Sequence, residues 1–282
     1  KSEVAKLEAP PPPPTRQMLG GLFSAESFRR ATGALVGGGA ATAPPPPPPT
    51  MALMPMLDAM NHFADAQNEF SFDSASRSFI LVTQKRLVEG EEVFLSYGRK
   101  GSDELLQFFG FVLSGNPWET VLSIGLGGHA AVAAARVFAE AEVERRLSVV
   151  DSLGLGGALA ATELRDSGAP SECWHALRLL FASPSELDGD LSRLRRPASV
   201  ETESRASLAL STYCRAARKA MGGSRKADLT AARGSGVPIR RRLALQLRAE
   251  KKRVLSELEK RLEREESRGR RAGRPSAGPV TL

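Results

Sequence analysis

Three short stretches hold the side chains of this sequence best suited to chemistry. They are Asp58-Ala59-Met60-Asn61-His62, then Gly90-Glu91-Glu92-Val93-Phe94-Leu95-Ser96-Tyr97-Gly98, then Asp103-Glu104-Leu105-Leu106-Gln107-Phe108-Phe109-Gly110-Phe111. An amide beside an imidazole can hold the polar edges of a ligand in a fixed geometry, because Asn and neutral His each offer a donor and an acceptor. A phenol at a strand end can orient a reacting group through one hydrogen bond. Taken singly, each stretch also has a plainer explanation: a turn with a satisfied histidine, a rim tyrosine, and packing around a backbone bend. Metal and thiol chemistry have little to work with. The two cysteines, Cys173 and Cys214, are far apart and make neither a disulfide framework nor a zinc spacing. That suits a reducing compartment without a structural metal.

The elements that must position these groups are read from periodicity and turn chemistry. An apolar run over 52–57 leads into Asn61-His62. Strands are expected over 69–72, 79–83 and 92–97, joined by turns at 73–77 and 89–91, and a short helix over 103–109 with Ser102 as its cap. From about Trp118 onward the pattern turns helical. Helices are expected over 130–150, 173–181, 201–221 and 240–266, with loops over 152–168 and 222–236. The last helix carries Leu243, Leu247, Val254, Leu258 and Leu262 on one stripe, and Glu257 four residues before Arg261 as a surface pair. The expected class is α+β, a β-rich piece followed by a helical domain.

In this order and spacing the three stretches resemble the C-terminal part of SET domains, in the class containing Rubisco large-subunit lysine methyltransferase and the actin-histidine methyltransferase. In that class the Asn-His segment and the Gly-Glu-Glu-Val-x-x-Ser-Tyr-Gly strand cross in a pseudoknot. The segments Ser183-Pro184-Ser185-Glu186-Leu187 and Arg248-Ala249-Glu250-Lys251-Lys252 look like pieces of the class's helical substrate-binding domain. The resemblance implies an S-adenosylmethionine-dependent protein-lysine N-methyltransferase. It gives Tyr97 the catalytic role, Asn61, His62 and Phe111 the cofactor contacts, and Phe109 the wall of the lysine channel. It implies four regions: a proline-rich segment over 1–50 with one short helix, the SET part over 51–116, the substrate-binding domain over 117–267, and a disordered basic tail over 268–282. This sequence departs from the family at Phe109, where a tyrosine is common, and at Ser102, where asparagine is. The SET first half with its Gly-x-Gly turn is expected to lie outside this sequence, since Gly37-Gly38-Gly39 lacks flanking strands. The missing Gly-x-Gly half supports an alternative reading, a non-catalytic SET-like protein-binding module.

Charge and composition bound the partners. The net charge of +7 is uneven: residues 51–116 hold 5 Lys/Arg against 9 Asp/Glu, whereas 238–282 hold 14 against 6. The basic balance belongs to the end of the chain, not to the motifs. A basic end without interleaved aromatics or a known module disfavours nucleic acid as the partner, and a protein substrate is expected instead. No apolar run is long enough for a membrane helix. The tracts Pro10 to Pro14 and Pro44 to Pro49 are possible ligands of SH3- or WW-like domains. The compartment stays open between chloroplast stroma and cytosol or nucleus.

Overall fold

A computed structural model describes residues 53–66 and 68–272. Both proline tracts, the short helix expected within residues 1–50 and the sequence beyond residue 272 lie outside the described residues. The fold is α+β and divides into two compact units, one ending at Arg99 and one starting at Lys100. That divide precedes the boundary expected after Asn116, because residues 100–120 are tied to the last helix. Lys251 Nζ donates to Asp103, to Glu119 at 2.6 Å and to the Thr120 carbonyl at 2.6 Å, and Arg253 donates to the Asn116 carbonyl at 3.0 Å.

In the first unit, α1 (Pro55–Asp58) starts on a proline, whose missing N–H costs nothing in a first helical turn. Strands β1 (Asn68–Asp73) and β2 (Ser78–Thr83) form an antiparallel hairpin with Phe70 opposite Leu81 and Phe72 opposite Phe79. The Asp73 carboxylate closes its turn by accepting the Ala75 and Ser76 N–H groups at 3.0 and 3.2 Å. This is the local side-chain mimicry of a backbone turn that favours Asp there. The strand expected over 92–97 is reduced to a single parallel bridge between Leu95 and His62. Beside it, the Asn68 side-chain amide takes the Phe94 carbonyl, so a side chain stands where a ladder bond would be.

The second unit opens with α2 (Ser102–Glu104), which passes into one π turn over Leu105–Phe109 and ends at Gly110 with φ of 76°. Ser102 is not its cap: Gly101 holds that position, and Glu119 accepts the Ser102 N–H at 3.2 Å. There follow β3 (Val121–Ile124), α3 (Leu126–Ala134), α4 (Glu140–Ser152), α5 (Gly156–Ala160) and β4 (Ala161–Leu164), with β3 and β4 antiparallel. Then come α6 (Ser171–Phe181), α7 (Pro184–Leu187), a 3-10 turn (Leu191–Arg195), α8 (Val200–Ala220), α9 (Arg225–Ala232) and α10 (Ile239–Ala272).

Several expectations need correcting here. The helix expected over 130–150 is two helices broken at 135–139, and the loops expected over 152–168 and 222–236 contain α5, β4 and α9. Helix α9 is capped by Ser224, whose hydroxyl accepts the Ala227 N–H at 3.1 Å. Its buried Asp228 is held by Arg248 and by Lys252 at 2.6 Å, a long-range anchor that local patterning does not show. The basic tail expected to be disordered from residue 268 is helical through Ala272. Glu257 pairs with Lys260 and Arg261 with Glu265, so the expected Glu257–Arg261 pair is not made. The core is centred on α6, buried from Cys173 to Phe181, with Leu210 of α8 and Leu255 and Leu258 of α10.

Candidate active site

Asn61, His62 and Tyr97 meet in the first unit. After α1, the Met60 N–H reaches back to the Leu57 carbonyl at 3.2 Å. The chain then runs straight across the segment that leads to Tyr97. Leu95 N–H donates to the Asn61 carbonyl at 2.8 Å and Phe63 N–H to the Leu95 carbonyl at 3.2 Å. These two bonds clamp His62 beside Leu95, and Leu95 is one of the few buried side chains among the described residues of the unit. Gly98, with φ of 91°, turns the chain away directly after Tyr97. That left-handed conformation is what the glycine of the Ser-Tyr-Gly motif supplies.

Side chains lock the crossing further. His62 Nδ1 accepts the Tyr97 N–H at 3.0 Å, and the two rings lie 5.0 Å apart between centroids. The Tyr97 hydroxyl donates to the Met60 carbonyl at 2.7 Å. The Asn61 amide nitrogen donates to Glu92 Oε1 at 2.6 Å. Burial lowers the His62 pKa, against an opposing hydrogen bond to the Leu95 backbone. Burial also raises the Tyr97 phenol above its ordinary value. At neutral pH the imidazole is therefore neutral with its proton off Nδ1, and the phenol keeps its hydrogen. The cluster can offer carbonyl, amide and phenolic oxygens to a cationic or N–H-bearing ligand without presenting a positive charge of its own.

Phe109 and Phe111 belong to the second unit. They flank Gly110 with ring centroids 6.4 Å apart, and both are half-buried. Sequence reasoning missed Met60, Glu92 and Leu95. Met60 and Leu95 act through backbone atoms, which no residue type signals. Glu92 lies 31 residues from the amide it receives. Among the described residues no group of three or more His, Cys, Asp or Glu could hold a metal ion, and no helix is long and apolar enough to cross a membrane. Cys173 and Cys214 are buried, and burial pushes both thiols up to about 12, which leaves them unreactive at neutral pH.

Comparison with known proteins finds similarity to one family over parts of the chain. Residues 139–255 match the family model described as Rubisco LSMT substrate-binding. The chain is 36% identical over 73 residues to the ribosomal lysine N-methyltransferase set10 of Schizosaccharomyces pombe, and 37% identical over 68 residues to the SET domain-containing protein 4 of Mus musculus. Over these stretches the chain is similar to the Rubisco LSMT class of SET-domain proteins. Its fold agrees with that class: a solved structure of Rubisco LSMT bound to AdoMet superposes with a TM-score of 0.50 at 18% identity, over 76% of this chain and 50% of that one. The match to set10 covers 26% of this chain and 13% of that protein, and the match to the mouse protein 24% and 16%. The chain thus spans half of the solved Rubisco LSMT structure and a small part of the curated SET-domain relatives.

Proposed function

We propose that the His62–Tyr97 crossing is the cofactor and lysine end of an S-adenosylmethionine-dependent protein-lysine N-methyltransferase, and that the helical domain receives the protein substrate. The observation that carries this reading is the crossing itself, in which one phenol is fixed through its backbone by His62 and through its hydroxyl by Met60, beside the Asn61 amide. The relative set10 is named a ribosomal lysine N-methyltransferase, and Rubisco LSMT has been solved with AdoMet bound, which supports the same chemistry here.

The side chains present suit such a cofactor. Asn61 gives its amide nitrogen to Glu92, so its oxygen is the atom suited to accept from a ligand ammonium. Neutral His62 and neutral Tyr97 set no cation against a sulfonium. Asn61 and His62 are assigned to hold the cofactor and Phe111 to face it; Phe109 is assigned to the lysine channel. When bound, S-adenosylmethionine supplies an electrophilic methyl group that a neutral amine accepts. With its proton on the Met60 carbonyl, Tyr97 turns phenolic lone pairs toward an incoming amine N–H and toward positive charge near the methyl. An apolar channel lowers the pKa of a lysine amine and so favours the neutral form that reacts.

In the full-length protein, Tyr97→Phe is expected to cut methyl transfer from labelled S-adenosylmethionine about 100-fold or more, the scale of losing one oriented transition-state hydrogen bond. Cofactor affinity measured by calorimetry should stay nearly unchanged. Equal loss of both would make Tyr97 a structural residue. No labelling of any protein in a cell extract by the wild type, with cofactor still bound, would favour a non-catalytic binding module. Mass spectrometry of the labelled residue separates lysine from histidine as the acceptor.

A further inference from the structure

A cavity of about 270 Å³ lies in the helical unit, among α3, α4 and α5. Leu147, Val150 and Leu159 give it an apolar floor, and Asp151 is the one charged residue among those lining it. Glycines from two copies of one tetrapeptide line it: Gly125, Gly127 and Gly128 of Gly125-Leu126-Gly127-Gly128 at the start of α3, and Gly156 of Gly154-Leu155-Gly156-Gly157 at the start of α5. Each copy begins with a glycine at positive φ, 86° and 71°.

The glycines keep the space open. A Cβ at Gly156 would lie 2.2 Å from Asp151 Oδ1, and one at Gly127 would press on Leu159 at 3.3 Å. Ordinary side chains at either position would displace the carboxylate or crowd the floor. The carboxylate of Asp151 is solvent-exposed at the cavity. Its charge opposes an anion seated beside it, whereas a cation on an aliphatic stem would lay its stem on the leucines and bring its charge to Asp151.

We propose that this cavity binds a lysine side chain of a docked polypeptide, as a subsite apart from the methyl-transfer residues. The polypeptide's identity as the methylation substrate rests on the function proposed above; the pocket's preference for an aliphatic ammonium does not. Binding of one exposed ion pair with a small apolar contact is weak, and the discriminating quantity is the difference between closely matched probes.

The test uses the full chain with labelled Leu and Val methyls, titrated with N-acetyl-lysine N-methylamide and followed by NMR. Expected are saturable shifts at Leu147, Val150 and Leu159, with the uncharged norleucine analogue binding more weakly and the glutamate analogue not at all. Asp151→Asn should weaken the lysine probe about two- to fivefold, the scale of an exposed ion pair. Gly128→Leu should abolish the shifts without unfolding the chain. A Cβ at that helical position meets nothing within 4 Å, and the longer side chain has the cavity to fill. No shift at these methyls, equal binding of the glutamate analogue, or an Asp151→Asn variant that binds like wild type would overturn the proposal. None of these readouts involves cofactor or methyl transfer, so failure here leaves the Tyr97→Phe test standing, and the reverse holds too.

Discussion

The two units of this chain are held together by different physics. In the residues described before Lys100, Leu57 and Leu95 are the buried apolar side chains, while Phe63, Phe72, Phe79, Ile80, Val82 and Val88 are exposed. Order there comes from backbone bonds across the Leu95 bridge and from side chains such as Asn68, Asp73 and His62 that stand in for ladder bonds. The helical unit instead buries whole helix faces and carries desolvated ion pairs inside them. Arg178 and Glu203, both 1% exposed, meet at 2.6 and 3.1 Å, and Lys252 meets Asp228 at 2.6 Å. The lesson is that the unit bearing the candidate chemistry is set by a few directional contacts, and the other by volume and charge pairing in its core.

The largest expected effect breaks the second kind of order. Arg178→Ala removes one half of a buried pair and strands the Glu203 carboxylate, which also accepts the Ala198 N–H at 2.9 Å. A loss of about 3–5 kcal/mol is expected, measured by denaturant unfolding of the helical unit. An unchanged midpoint would show that the pair is not buried in solution. Arg178→Met with Glu203→Leu removes both charges at similar volume and is expected to cost much less than the single change.

Next in size is an acid limb carried by Glu186. Its carboxylate closes the capping box at Ser183 and also accepts the Ser199 N–H and the Thr202 hydroxyl, each at 2.8 Å. Burial alone would raise its pKa, but the hydrogen bonds from Ser183, Ser199 and Thr202 outweigh it and bring the carboxyl down to about 2. A folded-state pKa below the unfolded value of about 4.3 means the stabilisation is complete above that value. It drains away as pH falls toward 2. Glu186→Gln should therefore be less stable than wild type at pH 7, with the gap closing between about pH 5 and pH 2, as followed by thermal unfolding. A gap that stays constant with pH would remove Glu186 as the source.

Legibility follows the same division. Asn61, His62 and Tyr97 could be read as one constellation because the order and spacing of their motifs resemble those of SET domains. The long helices over 173–181, 201–221 and 240–266 could be read because each carries an apolar face. Helix α9 was missed because glycines at 222, 223, 234 and 236 punctuate its ends, while its anchor, Asp228 on Lys252, is 24 residues away. The cap at Ser102 was misread for a like reason: its N–H is satisfied by Glu119, from the next turn of the fold. The strand over 92–97 had the right composition, yet strand formation needs a partner along its length, and the described residues give it one bridge.

The smallest effect on stability is expected at His62, and it tests the first kind of order. Its Nδ1 is the acceptor that fixes the Tyr97 N–H. Asn at 62 can place an amide oxygen near the position of Nδ1, whereas Gln places its oxygen nearer Nε2. A net contribution of about 1 kcal/mol is typical of one such bond. His62→Gln should therefore raise amide exchange at Tyr97 about fivefold, while His62→Asn leaves it close to wild type. Acid should act like the Gln variant. The His62 pKa lies below 6.5 because burial disfavours the imidazolium, so the bond persists at neutral pH. It is lost as falling pH passes the lowered value and Nδ1 takes up a proton. If Asn and Gln variants exchange alike, the imidazole acts by packing alone, and the crossing rests on the Leu95 backbone pair rather than on the side chain beside it.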